Sequence, residues 1–490
     1  MRSFNRMIAV ITMIVCVVMS ISACKGDDPS GTGVVDHDPV GTGVADHEVQ
    51  TTEVSAWSKA LEDENAGRKD EKEKLRAQLT EINDEISDIM LHMKSLATDV
   101  RKHSGALEQF ALNLFRECRN NRDEEGNILI SPLSVCFALA MAANGAREET
   151  LTQMEEVLGF SVNDLNKFVS AWNDLTDSNS KVSELRNKLY DTLSVGNDKI
   201  AETKVETANS AWLKYDPGLH IQKDYLNVIE DFYGGEIGKG VFDDSTVNYI
   251  NSWIEEKTNG LIDKIIDEIP DSTVFFLINT LLFEGKWNET FSKEAVTDDI
   301  FTTSTGEEKE LTFMNGSADK YLEDGRAVGI KKYYTSLGYS FAAIMPNEGI
   351  EIDEYLSDMD VRELENILYP VVDRNAIIEL SMPKFSSEYY AKMKNILRNM
   401  GMPDLFDPVS ANLSALGTYD DGNIYVDDVL HKTYIEVDEE GTRAGAASAV
   451  MGMCGGVPQE IIEVKLNRPF IYLIIDENAQ IPLFIGTFEG

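Results

Sequence analysis

Histidine is scarce in this chain. The six histidines among 490 residues are His37, His47, His92, His103, His220 and His431. Four fall in the N-terminal quarter, leaving His220 and His431 for the remainder. One histidine could still serve a Ser-His-Asp triad, but no G-x-S-x-G elbow is present to hold the serine. Neither H-E-x-x-H nor C-x-x-C occurs, which argues against a zinc site. Positive charge is scarce too: 44 Lys and Arg stand against 85 Asp and Glu, a formal net charge of −41. Binding a phosphate backbone needs a basic face, so the balance argues against nucleic acid as a partner. It argues equally against holding on to anionic lipid by charge. With 43 % hydrophobic and 26 % charged residues, the composition is globular rather than disordered. The length fits one large domain with extensions, or about three average ones.

Arg2 and Arg6 precede an uncharged apolar run from Met7 to Met19, followed by Ile21-Ser22-Ala23-Cys24. The run is short for a bilayer span and has the flanks of an export signal over residues 1–23. The last four residues resemble a bacterial lipobox. That resemblance implies cleavage before Cys24, a lipid on its thiol, and a membrane-anchored protein at the cell surface or facing the periplasm, with the outer membrane favoured. Two acyl chains would anchor stably where one would not. The plainer alternative is an ordinary signal peptide with a chance cysteine. Residues 24–53 read as a flexible acidic linker. In it Gly31-Thr32-Gly33-Val34-Val35-Asp36-His37-Asp38 recurs as Gly41-Thr42-Gly43-Val44-Ala45-Asp46-His47-Glu48. The Asp-His pairs read as solvated spacer rather than metal ligands.

Residues 54–103 carry a heptad seam. Leu75, Leu79, Ile82, Ile86, Ile89, Met93, Leu96 and Val100 are spaced 4, 3, 4, 3, 4, 3, 4, which predicts a long helix with one apolar stripe. A coiled-coil rod of roughly 40 Å follows from 1.5 Å per residue. Two accounts compete for the stripe. It joins copies of the chain into a homo-oligomer through residues 75–100, or it packs back on its own globular domain. The regularity of the seam favours the first.

From residue 104 the text is mixed. A helical pattern at Leu107, Phe110 and Leu114 opens it, and β-rich runs follow at Thr273–Phe283, Ala376–Met382 and Phe470–Ile475. The pattern predicts an α+β fold with a large, mostly antiparallel sheet. Ordered motifs narrow this. Asn127-Ile128-Leu129-Ile130-Ser131-Pro132-Leu133-Ser134 leads to Asn144-Gly145-Ala146. Asn279-Thr280-Leu281-Leu282-Phe283 runs into Gly285-Lys286-Trp287. Met382-Pro383-Lys384-Phe385 comes next, then His431-Lys432, Glu436-Val437-Asp438-Glu439-Glu440-Gly441-Thr442, Asn467-Arg468-Pro469-Phe470 and Phe484-Ile485-Gly486. In this order they resemble the serpins, over residues 104–490. The resemblance implies a central sheet with a gap, and an exposed reactive-centre loop that a target serine protease cleaves. The loop then inserts as a new strand and traps the covalently bound protease. It implies no catalytic residue of the chain's own, no cofactor and no metal. It also implies structural roles in the sheet-opening region for Ser131, Ser134, Asn209, Trp287, Lys384 and His431. Trp287 and Lys384 are expected where the loop starts to enter, and His431 beneath the sheet.

The loop itself tests the resemblance. A segment that becomes a central strand needs small or β-branched side chains at every second position. Glu439, Glu440 and Gly441 lead into Thr442, Ala444, Ala446, Ser448 and Val450 on one phase; Arg443, Gly445, Ala447 and Ala449 form the other. The first phase holds no charge and no proline. Arg443 departs from the acidic residue usual in the family, but on the outward phase. The family's spacing, counted from Glu439, puts the cleaved bond between Gly455 and Gly456, and a small shift puts it at Cys454 or Met453. No Lys or Arg lies between Arg443 and Lys465, so an elastase- or chymotrypsin-like target is expected rather than a trypsin-like one. Within the same resemblance stand a cysteine-protease target and a non-inhibitory scaffold; the stretch Gly452 to Gly456 would weaken a late strand. Cys118 and Cys136 are close enough in sequence to leave a disulfide open.

Overall fold

The three β-rich runs become strands in three different sheets of the computed structural model. The structure describes residues 69–122, 126–193, 203–233, 236–335, 338–370, 376–442 and 460–490. The export signal, the linker with Cys24, and loop residues 443–459 lie outside the described residues.

One sheet is antiparallel throughout, in the order Leu129–Ile130, Ile481–Phe488, Phe470–Asp476, Tyr339–Pro346, Ala327–Tyr333, Lys320–Glu323. Its middle strands are buried at every position, which explains why they read as continuous apolar runs rather than alternating ones. A four-stranded sheet runs Glu460–Lys465, Ala376–Pro383, Glu308–Ala318, Val296–Thr302. The third, central sheet is built from β1 (Lys204–Lys214), β2 (Glu236–Gly240), β3 (Phe275–Lys286), β4 (Phe385–Lys392), β5 (Val429–Val437) and β6 (Gly441–Thr442). Its spatial order is β4-β5-β6-β3-β1-β2. The α+β architecture with mostly antiparallel pairing matches the sequence expectation.

The N-terminal half supplies the helices α1 (Lys69–Arg101), α2 (Ser104–Asn120), α3 (Pro132–Gly145) and α4 (Val162–Leu193). Helix α3 is apolar nearly all round, and every residue but Asn144 is buried, as a helix inside a core must be. Ser131 caps it, accepting a hydrogen bond from the Ser134 amide, with Pro132 at the first helical position.

The heptad seam lies on α1. The described residues fall into two units, one holding α1 up to residue 89 with the end of α4 from residue 185, the other the rest. In the first, Leu79, Ile82 and Ile86 are buried, as is Leu185 at the end of α4. In the second, Leu96, Ala97 and Val100 enter the main core beside Leu107 and Phe110, while Arg101 donates to the Asn478 and Glu477 carbonyls at 2.8 and 3.2 Å. Most of the stripe is therefore covered within one chain. Leu96 and Val100 thus pack on the main core of their own chain. Cys118 and Cys136 are free and buried; burial pushes both thiols up to about 12, leaving them unreactive.

A buried carboxyl on α2 gives the fold a measurable pH dependence. Glu108 is 3 % exposed. Burial, then the neighbouring Glu365 carboxylate, push it from 4.5 up to about 8. The native state therefore keeps a proton that the unfolded chain has released above pH 4.5. Stability from this group is full below that value and is lost as pH rises through about 8, by about 1.4 kcal/mol per unit. Glu108→Gln is expected to flatten the window: between about pH 5 and 8 its denaturation midpoint should drop less than that of the parent chain. Equal drops would show that the carboxyl does not titrate there.

Candidate functional site

The central sheet has an incomplete seam between β3 and β5. At one end the two strands pair directly and in parallel, Val429 with Leu277, Leu430 with Ile278 and His431 with Asn279. Asn279 pairs on its other side with Asn209 of β1, so Asn209, Asn279 and His431 form one row across the sheet. Beneath this row His431 is fully buried, and its Nε2 accepts a hydrogen bond from the Ser131 amide at 3.1 Å. That contact ties β5 to the start of α3, where Ser131 also caps Ser134. Burial holds the imidazole down at about 3, so it is neutral at pH 7 and fixes structure rather than moving protons.

At the other end β3 and β5 are separated by the two residues of β6. Gly441 pairs with Lys286 and Thr442 with Gly285 on one side; Thr442 pairs with Val437 on the other. Both contacts are antiparallel. Between the two ends, among the described residues, no pairing joins Thr280–Glu284 to Lys432–Glu436. A weak bond crosses there, from Thr280 Oγ1 to the Lys432 carbonyl at 3.4 Å. The seam is closed at one end, wedged by β6 at the other, and unzipped between.

A tight turn delivers β6 into the wedge. Asp438 Oδ1 accepts from the Glu440 and Gly441 amides at 2.8 and 3.1 Å. Trp287 Nε1 donates to the Asp438 carbonyl at 2.9 Å, and the amides of Trp287 and Phe291 donate to the carbonyls of Glu440 and Glu439. Two lysines hold the turn's acids: Lys384 reaches Glu439 at 3.0 Å and Lys293 reaches Glu440 at 3.4 Å. The hydrogen bond to Glu439 keeps the Lys384 ammonium above its ordinary value. Gly441 is obligatory by close approach, since a Cβ there would lie 2.1 Å from the Gly285 carbonyl oxygen.

Residues 105–489 match the model of the family described as serpin (serine protease inhibitor). The chain belongs to the serpin family. It is similar to a serine protease inhibitor of Cyanea capillata, 30 % identical over 75 % of this chain and 93 % of that one. It is likewise 30 % identical to Serpin B3 of Homo sapiens, over 79 % of this chain and 99 % of the relative. Among solved structures, the thermophilic serpin tengpin in its native state superposes with a TM-score of 0.69 at 39 % identity, covering 79 % of this chain and 94 % of that one. Protease inhibition is thus the general activity that the chain's family carries.

For this serpin the structure sorts the sequence-derived residues into two places. Ser131, Ser134, Asn209 and His431 meet at the closed end of the seam. Trp287, Lys384, Glu439, Glu440, Gly441 and Thr442 meet at the wedge. Gly441 and Thr442, named among the hinge residues, are buried strand residues. Small size and the wedge between β3 and β5 let them in. Arg443, Ala444, Gly445, Ala446, Ala447, Ser448, Met453, Cys454, Gly455 and Gly456 lie outside the described residues. Sequence reasoning missed Asp438 as the turn acceptor, Lys293, and Tyr334, whose hydroxyl meets Thr442 inside the sheet. Asp438 carried a signal, an acid two and three residues before the amides it binds; Tyr334 carried none, because 108 positions separate it from Thr442.

Proposed function

We propose that this serpin inhibits a serine protease as a one-use substrate, by inserting its cleaved loop between β3 and β5. The observation that carries this is β6, which already occupies the first two positions of a strand and points along the unzipped seam. In the reaction, the protease serine attacks the carbonyl carbon of the residue before the cleaved bond. An ester forms, the amide breaks, and the released nitrogen takes up a proton as a new N-terminus. The loop end on the N-terminal side then remains joined to the protease.

The register of β6 fixes what each loop residue would meet. Continued antiparallel past Thr442, it sets Ala444 between Phe283 and Ile435, Ala446 between Leu281 and Thr433, and Ser448 between Asn279 and His431. Phe283, Leu281, Ile435, Thr433 and His431 are all buried, so this phase must be small and uncharged, as it is. On insertion the other phase would set Arg443 between Glu284 and Glu436, a cation between two carboxylates. The target is proposed to be elastase- or chymotrypsin-like, from the absence of Lys and Arg around Gly455. A lipid on Cys24 and export to the cell envelope remain part of the proposal. Among the described residues no helix is long and apolar enough to cross a membrane.

The test is to mix the full chain with elastase, chymotrypsin, subtilisin and papain. A denaturant-resistant complex with a serine protease, releasing a C-terminal peptide that starts near Gly456, is the expected result. Cleavage of the loop by every protease without any complex would reject the inhibitory reading in favour of a substrate-only serpin.

A further inference from the structure

We propose that Tyr334 is a positioning residue for strand insertion: its hydroxyl latches Thr442, holding the loop two residues into the sheet before any protease arrives. This rests on the proposed insertion mechanism. Tyr334 Oη and Thr442 Oγ1 lie 2.7 Å apart and share a hydrogen bond. Tyr334 is 2 % exposed and Thr442 1 %, so water cannot replace either partner and a lone hydroxyl would be left unsatisfied.

The ring that carries the hydroxyl has little freedom. It stacks on Trp287 with centroids 4.7 Å apart and planes 14° from parallel, and meets Phe283 edge-on at 4.8 Å. Tyr334 and Trp287 also form a backbone bridge. Gly285 keeps the way clear: a Cβ there would stand 2.8 Å from Tyr334 Cδ1. Tyr334 follows the strand Ala327–Tyr333 of the other six-stranded sheet. The bond therefore joins the inserting residue to a layer that does not itself have to part. Trp287 is the second arm of the same device, since its indole N–H holds the Asp438 carbonyl at the turn.

Among the described residues the inserted ones are Gly441 and Thr442, so one buried hydroxyl pair is a large share of what keeps them there. A net hydrogen bond of ordinary strength corresponds to roughly a 2- to 12-fold change in the ratio of inserted to expelled hinge. Tyr334→Phe keeps the ring and removes only the hydroxyl; Thr442→Val removes the other partner at nearly constant shape.

The measurement is amide hydrogen exchange of the full chain at residues 438–442, with the directly paired residues 277–279 and 429–431 as internal reference. Each single variant is expected to raise hinge exchange about 2- to 12-fold with the reference unchanged, and the double variant no further than the larger single. Unchanged hinge exchange in both variants, or full additivity in the double, would overturn the latch. The same proteins mixed with elastase read the consequence: a freed hinge lengthens the accessible loop, so complex should form faster while more loop is cut per complex formed. If the parent chain forms no complex with any protease, the insertion reading falls, and the exchange result alone still decides the latch.

Discussion

Thr442→Arg should turn the chain from a protease trap into a protease substrate. Thr442 is buried between Val437 and Gly285 with its hydroxyl on Tyr334. An arginine there would carry an uncompensated charge into the sheet, at a cost of several kcal/mol. Insertion would halt at its first step. Proteases would still cut the loop, and the covalent complex seen with the parent chain should disappear from denaturing gels, with at least roughly a tenfold rise in serpin consumed per protease inhibited. The register sharpens the result. Ala446→Glu, facing Leu281 and Thr433, should behave in the same way. Ala447→Glu, which the same register would set between the half-buried Lys432 and the buried Thr280, should lose much less of the complex, because the Lys432 ammonium is there to meet the carboxylate. Persistence of the complex in Thr442→Arg would reject strand insertion as the mechanism; equal loss in both alanine variants would reject the register.

Trp287→Ala is expected to be the most damaging single change at the site. The indole is 1 % exposed. It stacks on Tyr334, meets Phe341 edge-on at 5.7 Å and Phe291 at 6.4 Å, and lies 5.9 Å from the buried Lys332 ammonium. Truncation would remove a large apolar side chain, leave a cavity and strip the Asp438 carbonyl of its donor. About 3–5 kcal/mol of stability should be lost, read as a lower denaturant midpoint with an unchanged slope. A loss below about 1 kcal/mol would show that the wedge closes over the gap without the ring.

Much of this was legible in the sequence, and the reasons are uneven. The period-2 spacing of Thr442, Ala444 and Ala446 predicts which phase would face the core on insertion, and Thr442, the described member, is buried. Buried strands such as Phe470–Asp476 were legible by apolar content alone. The seam on α1 was equally clear, but a stripe names no partner. Leu79 and Ile86 would look the same facing a second copy or facing their own chain. The Tyr334–Thr442 contact was illegible because 108 positions separate its members. The early burial of Gly441 and Thr442 was hidden for another reason. Residues proposed to enter the sheet after cleavage have the composition of residues already inside it.

The parallel pairing of β3 with β5 has a consequence for the arrow of time in this molecule. Three rungs join them, from Val429–Leu277 to His431–Asn279. A strand entering from β6 runs opposite to both neighbours, so each rung that parts is succeeded by two new ladders, one on each flank. Going forward, rungs are given up one by one from the wedge. Going back, two ladders must come apart together before the old rung can re-form. On the proposed insertion the sheet would act as a ratchet whose teeth are hydrogen bonds, with its direction set by strand polarity before any protease is met.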